Sequence, residues 1–379
     1  MPARLRVAMV TLFPESPDRI VGGVAGVARY LAPALAALRA FDLTIVVPGA
    51  LRDRVSEVDG IPVRFLEASR GPGFVTYWTL ERRRIARELA QLRPDVVHFQ
   101  GIAGWGLACP FPSVLTLHGI AERDALYSTA PLRAFRSRII GITERMGRSR
   151  FAHVISISPY LEEEIGHQLR GRIWRIENPV DEAYFRVARE DDGRSILLLA
   201  SIIERKNVLG AIDAFAGVLA FGVDARLRIG GSALDPAYRA RCERLAEKRG
   251  VAARIDWLGS LSAERVREEL ARAACLLLPS FQETAPLVIE EAMAAGVPVV
   301  ASALCGIPHL VSDDQTGFLV PPHDIASISS ALSRLLGSAP LRARLGAAGR
   351  EAADLRFRAE RVARETAAVY EAAAGATAR

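Results

Sequence analysis

From residue 279 to 300 the chain reads Pro-Ser-Phe-Gln-Glu-Thr-Ala-Pro-Leu-Val-Ile-Glu-Glu-Ala-Met-Ala-Ala-Gly-Val-Pro-Val-Val, with Glu283 and Glu291 eight residues apart. A short apolar run, Cys275–Leu278, precedes it and reads as a buried strand. Glu283 then falls in the loop at that strand's carboxyl end. Pro286 suits the first turn of a helix, where its missing N–H costs nothing, and Gly296 suits the residue just past the helix end. Carboxylates so spaced can take hydroxyl groups at the two ends of one ligand. The amides near Leu287 and Val288, at a helix N-terminus, favour a phosphate between them. Glu290 and Glu291 are adjacent, so only one can share the inward stripe of Val288, Ala292 and Ala295, and spacing favours Glu291. An ordinary amphipathic helix with solvated glutamates is the competing reading.

Lys206 is the next candidate. The chain has 379 residues, and arginine supplies 47 of its 49 basic side chains, the exceptions being Lys206 and Lys248. Lys206 stands in Ile203-Glu204-Arg205-Lys206-Asn207, just after an apolar run. There a compact ammonium on a flexible stem can neutralise phosphate oxygens; a surface charge at a helix start is the alternative. His118, in Leu117-His118-Gly119, also follows an apolar run, and its imidazole can contact a substrate hydroxyl or be a packed structural group. His98 reads as such a packed neighbour. Val21-Gly22-Gly23-Val24 precedes a helix and lets backbone approach an anion, unless its glycines serve only a βα loop.

The elements that position these residues alternate. Leu5–Leu12, Leu43–Val47, Val63–Leu66, Val96–Phe99, Val114–Leu117 and Val154–Ile157 read as buried strands, with helices such as Gly26–Arg39 and Tyr77–Leu92 between them. A second series, Ile196–Ala200, Leu227–Ile229, Ile255–Leu258, Cys275–Leu278, Val297–Ala301 and Gly317–Val320, follows the charged stretch 189–194. Continuous β-branched runs suit parallel strands covered on both faces. Two doubly wound α/β domains result, 1–185 and 186–357, with a last helix, Ala359–Ala374, that periodicity does not place. Ligands of such folds bind at strand carboxyl ends, so a cleft between two of them is the expected site.

Composition narrows the function further. A formal charge of +6 and a pI near 9.4 suit phosphate-bearing or anionic partners but carry no nucleic-acid motif. The four cysteines, Cys109, Cys242, Cys275 and Cys305, are far apart, which excludes the common zinc patterns and a disulfide framework and points to the cytoplasm. No run is long enough to cross a membrane, and the N-terminal run is too short for a signal peptide. The Phe13–Gly22 loop is too long for a dinucleotide-binding turn.

Glu283-x7-Glu291, the following Ala-Met-Ala-x-Gly-x-Pro-Val-Val-Ala-Ser302, Cys305-Gly306-Ile307-Pro308 and Thr316-Gly317-Phe318-Leu319-Val320 together resemble family 4 retaining glycosyltransferases of the GT-B fold. Gly22-Gly23, Leu117-His118-Gly119, Ser156-Ile157-Ser158, Asn178-Pro179-Val180-Asp181 and Arg205-Lys206-Asn207 extend the likeness along the whole chain. The resemblance implies two Rossmann-like domains facing across a cleft. The N-terminal one would take the acceptor, with a helix of about 358–379 crossing back onto it, and the C-terminal one the nucleotide sugar. It implies transfer of a hexose from a UDP- or GDP-linked donor to a glycan, glycolipid or small-molecule hydroxyl, with retention, as in polysaccharide biosynthesis. Glu283 would hold donor-sugar hydroxyls, Glu291 the ribose, and Lys206 with Arg205 the diphosphate. Gly23 would let its loop close over that diphosphate, and His118 would contact the transferred sugar. No cofactor and no metal are implied. Where many members have Gly-Phe-Gly after the first glutamate, this chain has Thr284-Ala285-Pro286. Where many have a Gly-Arg pair before the lysine, it has Ala200-Ser201, and Arg205 is the candidate replacement. A nucleotide-sugar epimerase of the same architecture and a non-catalytic nucleotide-sugar-binding subunit are the alternatives.

One further pattern concerns partners. Leu132, Phe135, Ile139, Ile142 and Met146 recur at helical spacing, with Arg133, Arg136, Arg138, Arg145, Arg148 and Arg150 around them and only Glu144 opposed. Such a helix either packs its stripe on the N-terminal sheet or rests peripherally on the anionic inner face of the cytoplasmic membrane.

Overall fold

The computed structural model describes residues 4–14, 22–69, 76–107, 109–127 and 133–375. Of the described residues, those up to 179 and from 359 onward form one compact unit, and residues 180–358 form the other. Each is an α/β unit around its own sheet.

The first sheet contains β1 (Leu5–Val10), β2 (Phe41–Ala50), β3 (Arg54–Val58), β4 (Ile61–Glu67), β5 (Val96–Gln100), β6 (Ser113–Leu117), β7 (His153–Ser156) and β8 (Arg172–Arg175). Their order is β3-β4-β2-β1-β5-β6-β7-β8, parallel except for β3. The β3–β4 hairpin departs from the reading of uniformly buried parallel strands. Asp59 and Gly60 both adopt positive φ, +50° and +77°, which suits a tight two-residue hairpin turn. β3 alternates half-buried and exposed side chains, as an edge strand does, so no apolar run marks it. β8 at the other edge is equally polar, with the Arg172 guanidinium 3.7 Å from the Trp174 ring centroid.

The second sheet contains β9 (Ser195–Leu199), β10 (Arg226–Gly230), β11 (Ile255–Gly259), β12 (Cys275–Leu278), β13 (Val299–Ser302) and β14 (Gly317–Val320), in the order β11-β10-β9-β12-β13-β14, all parallel. β9, β12 and β13 are buried along their whole length, as strands covered by helices on both faces must be. Both sheets reverse direction beside their first strand, between β1 and β5 and between β9 and β12. In doubly wound sheets, ligands bind at the strand carboxyl ends beside such a reversal.

The last helix, Ala359–Gly375, belongs to the first unit, where Val362, Ala363, Val369 and Tyr370 enter the core. Tyr370 stands edge-on to Phe41, and its hydroxyl is 2.7 Å from His98 Nδ1, while His98 Nε2 is 2.7 Å from Thr116 Oγ1. His98 is therefore the packed histidine, in mid-strand and fully buried. Burial, with the charge of His118 a smaller cause, holds its pKa at about 3. The unfolded chain takes up this proton near pH 6.5 and the folded chain only near 3, so stability is full above about 6.5 and lost as pH falls between these values. At pH 5 His98 is expected to cost about 2 kcal/mol. Unfolding midpoints at pH 7 and pH 5 check this. His98→Gln, which cannot titrate, should lose less on acidification; equal losses would exonerate the histidine.

Candidate active site

In the second unit the reversal of strand order makes neighbours of the loops after β9 and β12, and these carry Lys206 and Glu283. Lys206 Nζ donates to Glu283 Oε1, and Arg205 Nη1 lies 3.7 Å from Glu283 Oε2 while donating to the Gln282 carbonyl at 2.9 Å. The Glu283 carboxylate is buried, and Lys206 and Arg205 are half-buried. Burial alone would raise the Glu283 pKa, but the charges of Lys206 and then Arg205 outweigh it and hold the carboxyl below its ordinary range. The three groups carry a net +1 beside the start of the Leu287–Ala294 helix, whose first residues, Leu287 and Val288, are half-buried. Cations and helix-end amides so gathered can receive a diphosphate, and the carboxylate can receive hydroxyls.

The Leu287–Ala294 helix begins one residue after Pro286 and ends with Gly296 at φ +72°. The Val297 N–H reaches the Ala292 carbonyl and the Gly296 N–H the Met293 carbonyl, which terminates the helix sharply before β13. Glu291 is 7% exposed and Glu290 0%. The expectation that only one of the two turns inward is corrected here. This helix packs against Ala339–Arg356, Glu182–Phe185, β12 and β13 at once, so more than one of its faces is covered and burial does not discriminate between the glutamates.

Two residues outside the expected set brace this loop pair. Asn207, at φ +52°, caps the Val208–Ala220 helix by accepting from the Gly210 N–H. It donates through Nδ2 to the Pro279 carbonyl at 3.1 Å and the Pro322 carbonyl at 2.9 Å. It thus ties the Lys206 loop to the Glu283 loop; the motif Arg-Lys-Asn signalled its presence but not this role. Gly231 has φ +144°, and a Cβ there would stand 1.9 Å from the Ala200 carbonyl oxygen, at the place of the absent Gly-Arg pair. Gly231→Ala is expected to cost about 3 kcal/mol through backbone strain and overpacking. A urea midpoint unchanged from wild type would refute that.

In the first unit the reversal lies between β1 and β5, with β6 next to β5, and residues 15–21 of the loop after β1 lie outside the described residues. Gly22 precedes the Gly23–Ala37 helix at φ +87°, a conformation that calls for glycine, whereas Gly23 is helical; among the described residues a Cβ at either would meet nothing within 4 Å. Val21 lies outside the described residues. Gly101, at φ +89°, ends β5 with its notional Cβ 3.6 Å from the His118 ring and 3.8 Å from Val24. The structure thus brings His118 and the first turn of the helix together around Gly101, which no motif marked. His118 Nε2 is hydrogen-bonded to Gln100 Oε1, so in the neutral ring Nε2 carries the proton and Nδ1 accepts. Burial lowers the His118 pKa to about 4, so the ring is neutral at physiological pH. Among the described residues no group of three or more His, Cys, Asp or Glu is placed to hold a metal, and no helix is long and apolar enough to cross a membrane.

Comparison with known proteins completes the assignment. The family described as Glycosyl transferases group 1 matches residues 180–352, and Glycosyltransferase Family 4 matches residues 21–184. A Mycolicibacterium hassiacum protein named MMP alpha-(1->4)-mannosyltransferase is 30% identical over 307 residues, 76% of this chain and 74% of that one. Sucrose-phosphate synthase from Thermosynechococcus elongatus has the same fold, with TM-score 0.83 at 22% identity over 98% of this chain and 100% of that one. So does an Anabaena protein solved with UDP-glucose, with TM-score 0.74 at 16% identity over 97% and 100%. These relatives favour transfer over the epimerase and non-catalytic alternatives. The chain belongs to the family 4 glycosyltransferases of the GT-B fold.

Proposed function

We propose that this glycosyltransferase moves a hexose from a nucleoside-diphosphate sugar to a hydroxyl of a glycan, glycolipid or small molecule, in the cytoplasm and with retention at the anomeric carbon. The observation that carries the reading is the Arg205–Lys206–Glu283 cluster beside the N-terminus of the Leu287–Ala294 helix. In the reaction the bond between the anomeric carbon and the diphosphate oxygen breaks. The acceptor oxygen bonds to that carbon on the same face, and the acceptor's proton passes to the departing diphosphate. Lys206, Arg205 and the amides of Leu287 and Val288 meet the charge that develops on the leaving group, so the step needs no metal. Glu283 orients donor-sugar hydroxyls and Glu291 the ribose. In the first unit, Gly22 and Gly23 would admit a phosphate close to the backbone, and His118 would offer Nδ1 as an acceptor to a sugar hydroxyl. The Anabaena protein's UDP-glucose makes UDP-hexoses the first donors to try. Unpaired Cys109, Cys242, Cys275 and Cys305 suit a reducing compartment.

The test is a thermal-shift panel of UDP-, GDP- and ADP-hexoses, followed by turnover of the stabilising donor with simple acceptors and NMR of the product's anomeric configuration. A glycoside of unchanged configuration supports the reading. An inverted product refutes retention. An epimerised donor without transfer refutes the transferase.

A further inference from the structure

The Arg133–Arg148 helix is seated opposite to the usual sense. Phe135, Ile142 and Met146 are 60%, 62% and 55% exposed, and Ile139, in the same stripe, is half-buried. The face turned to the first unit is instead small and polar. A Cβ on Gly147 would stand 2.7 Å from the Ala103 carbonyl carbon, so backbone approaches backbone there. Arg148, 1% exposed, donates to both Glu122 carboxylate oxygens at 2.8 and 2.9 Å and to Gln168 Oε1 at 3.2 Å. Glu144 is buried beside it and accepts from the Ala103 N–H. Packing of the apolar stripe onto the sheet is thereby excluded. Arg148 and Glu144 also leave the set of surface charges. Leu132 and the Arg133 side chain lie outside what is described.

What remains outward is an apolar row flanked by exposed arginines, Arg136 on one side and Arg138 and Arg145 on the other. We propose that this face docks on an anionic lipid bilayer. Phe135, Ile139, Ile142 and Met146 would enter the boundary between headgroups and acyl chains, and the arginines would fork onto lipid phosphates. Charge decides against a second copy of the chain: stripe laid on stripe would bring like arginine rows together. A neutral apolar partner would leave three cations at its rim without counter-charge. The proposal stands apart from the transfer reaction, since none of these side chains belongs to either loop cluster.

The test uses the intact protein and sedimentation with phosphatidylcholine vesicles, with and without phosphatidylglycerol. Binding to the phosphatidylglycerol vesicles is expected at low ionic strength and should be lost near 1 M salt, where the screening length is about 3 Å. Replacing Arg136, Arg138 and Arg145 by alanine should weaken it about a hundredfold, at about fivefold per surface cation. Phe135→Ser with Ile142→Ser should weaken it as well. All five side chains are exposed or at the outer face, so the unfolding midpoint and nucleoside diphosphate binding should stay as in wild type. A failed transferase reading would leave the vesicle result standing. Wild-type protein remaining in the supernatant at low salt, equal binding to neutral vesicles, or a dimer that the Ser variant abolishes would each overturn the proposal.

Discussion

Glu283→Gln is expected to lower turnover about tenfold to a hundredfold while leaving nucleoside diphosphate binding no weaker than in wild type. The carboxylate is ionised because the cations Lys206 and Arg205 stand against it. A charge-assisted hydrogen bond to a sugar hydroxyl is worth about 1.5–3 kcal/mol, and the amide gives up that charge while keeping its shape. The same change removes a negative group near the place where the diphosphate would sit, so product affinity should hold or rise. Calorimetry with the nucleoside diphosphate and steady-state turnover separate the two effects. Equal loss of binding and turnover would mean that Glu283 serves the loop rather than the sugar. Glu291→Gln should behave in the opposite way, weakening the nucleotide first.

Lys206→Ala should weaken nucleoside diphosphate binding by about tenfold to a hundredfold and leave binding of the bare nucleoside nearly unchanged, because the ammonium addresses phosphate. Lys206→Arg should recover only part of the loss, since a planar fork cannot take the place of a point charge in a half-buried loop. Removing the ammonium also leaves buried Glu283 with Arg205 as its remaining cation among the groups described above. Some loss of stability is therefore expected, and the unfolding midpoint must be recorded beside the affinity. Diphosphate affinity equal to wild type would make the Lys206–Glu283 pair a structural brace and turn attention to Arg205.

Much of this architecture can be read without coordinates, because buried parallel strands announce themselves as uninterrupted apolar runs. Whereas β10 and β11, interrupted by Arg228 and Asp256, showed only shorter apolar stretches, β9, β12 and β13 of the second unit and the strand–loop–helix around Glu283 were legible in that way. So was the candidacy of Lys206, which stands out in a chain that otherwise favours arginine. The edge strands β3 and β8 were not, since a strand with one wet face carries no such run. The sequence likewise could not say that the β9 and β12 loops adjoin. That follows from the order β10-β9-β12, a property of the sheet, and it is what brings Lys206 to a carboxylate 77 residues away. Asn207 and Gly231 acquire their roles only from carbonyls of distant loops, Pro279 and Pro322 for one and Ala200 for the other. The Arg133–Arg148 helix draws the line most sharply. Its periodicity alone establishes an apolar stripe bordered by arginines. Which way the stripe points depends on Ala103, Glu122 and Gln168, because periodicity belongs to the helix while orientation belongs to what the chain packs against it.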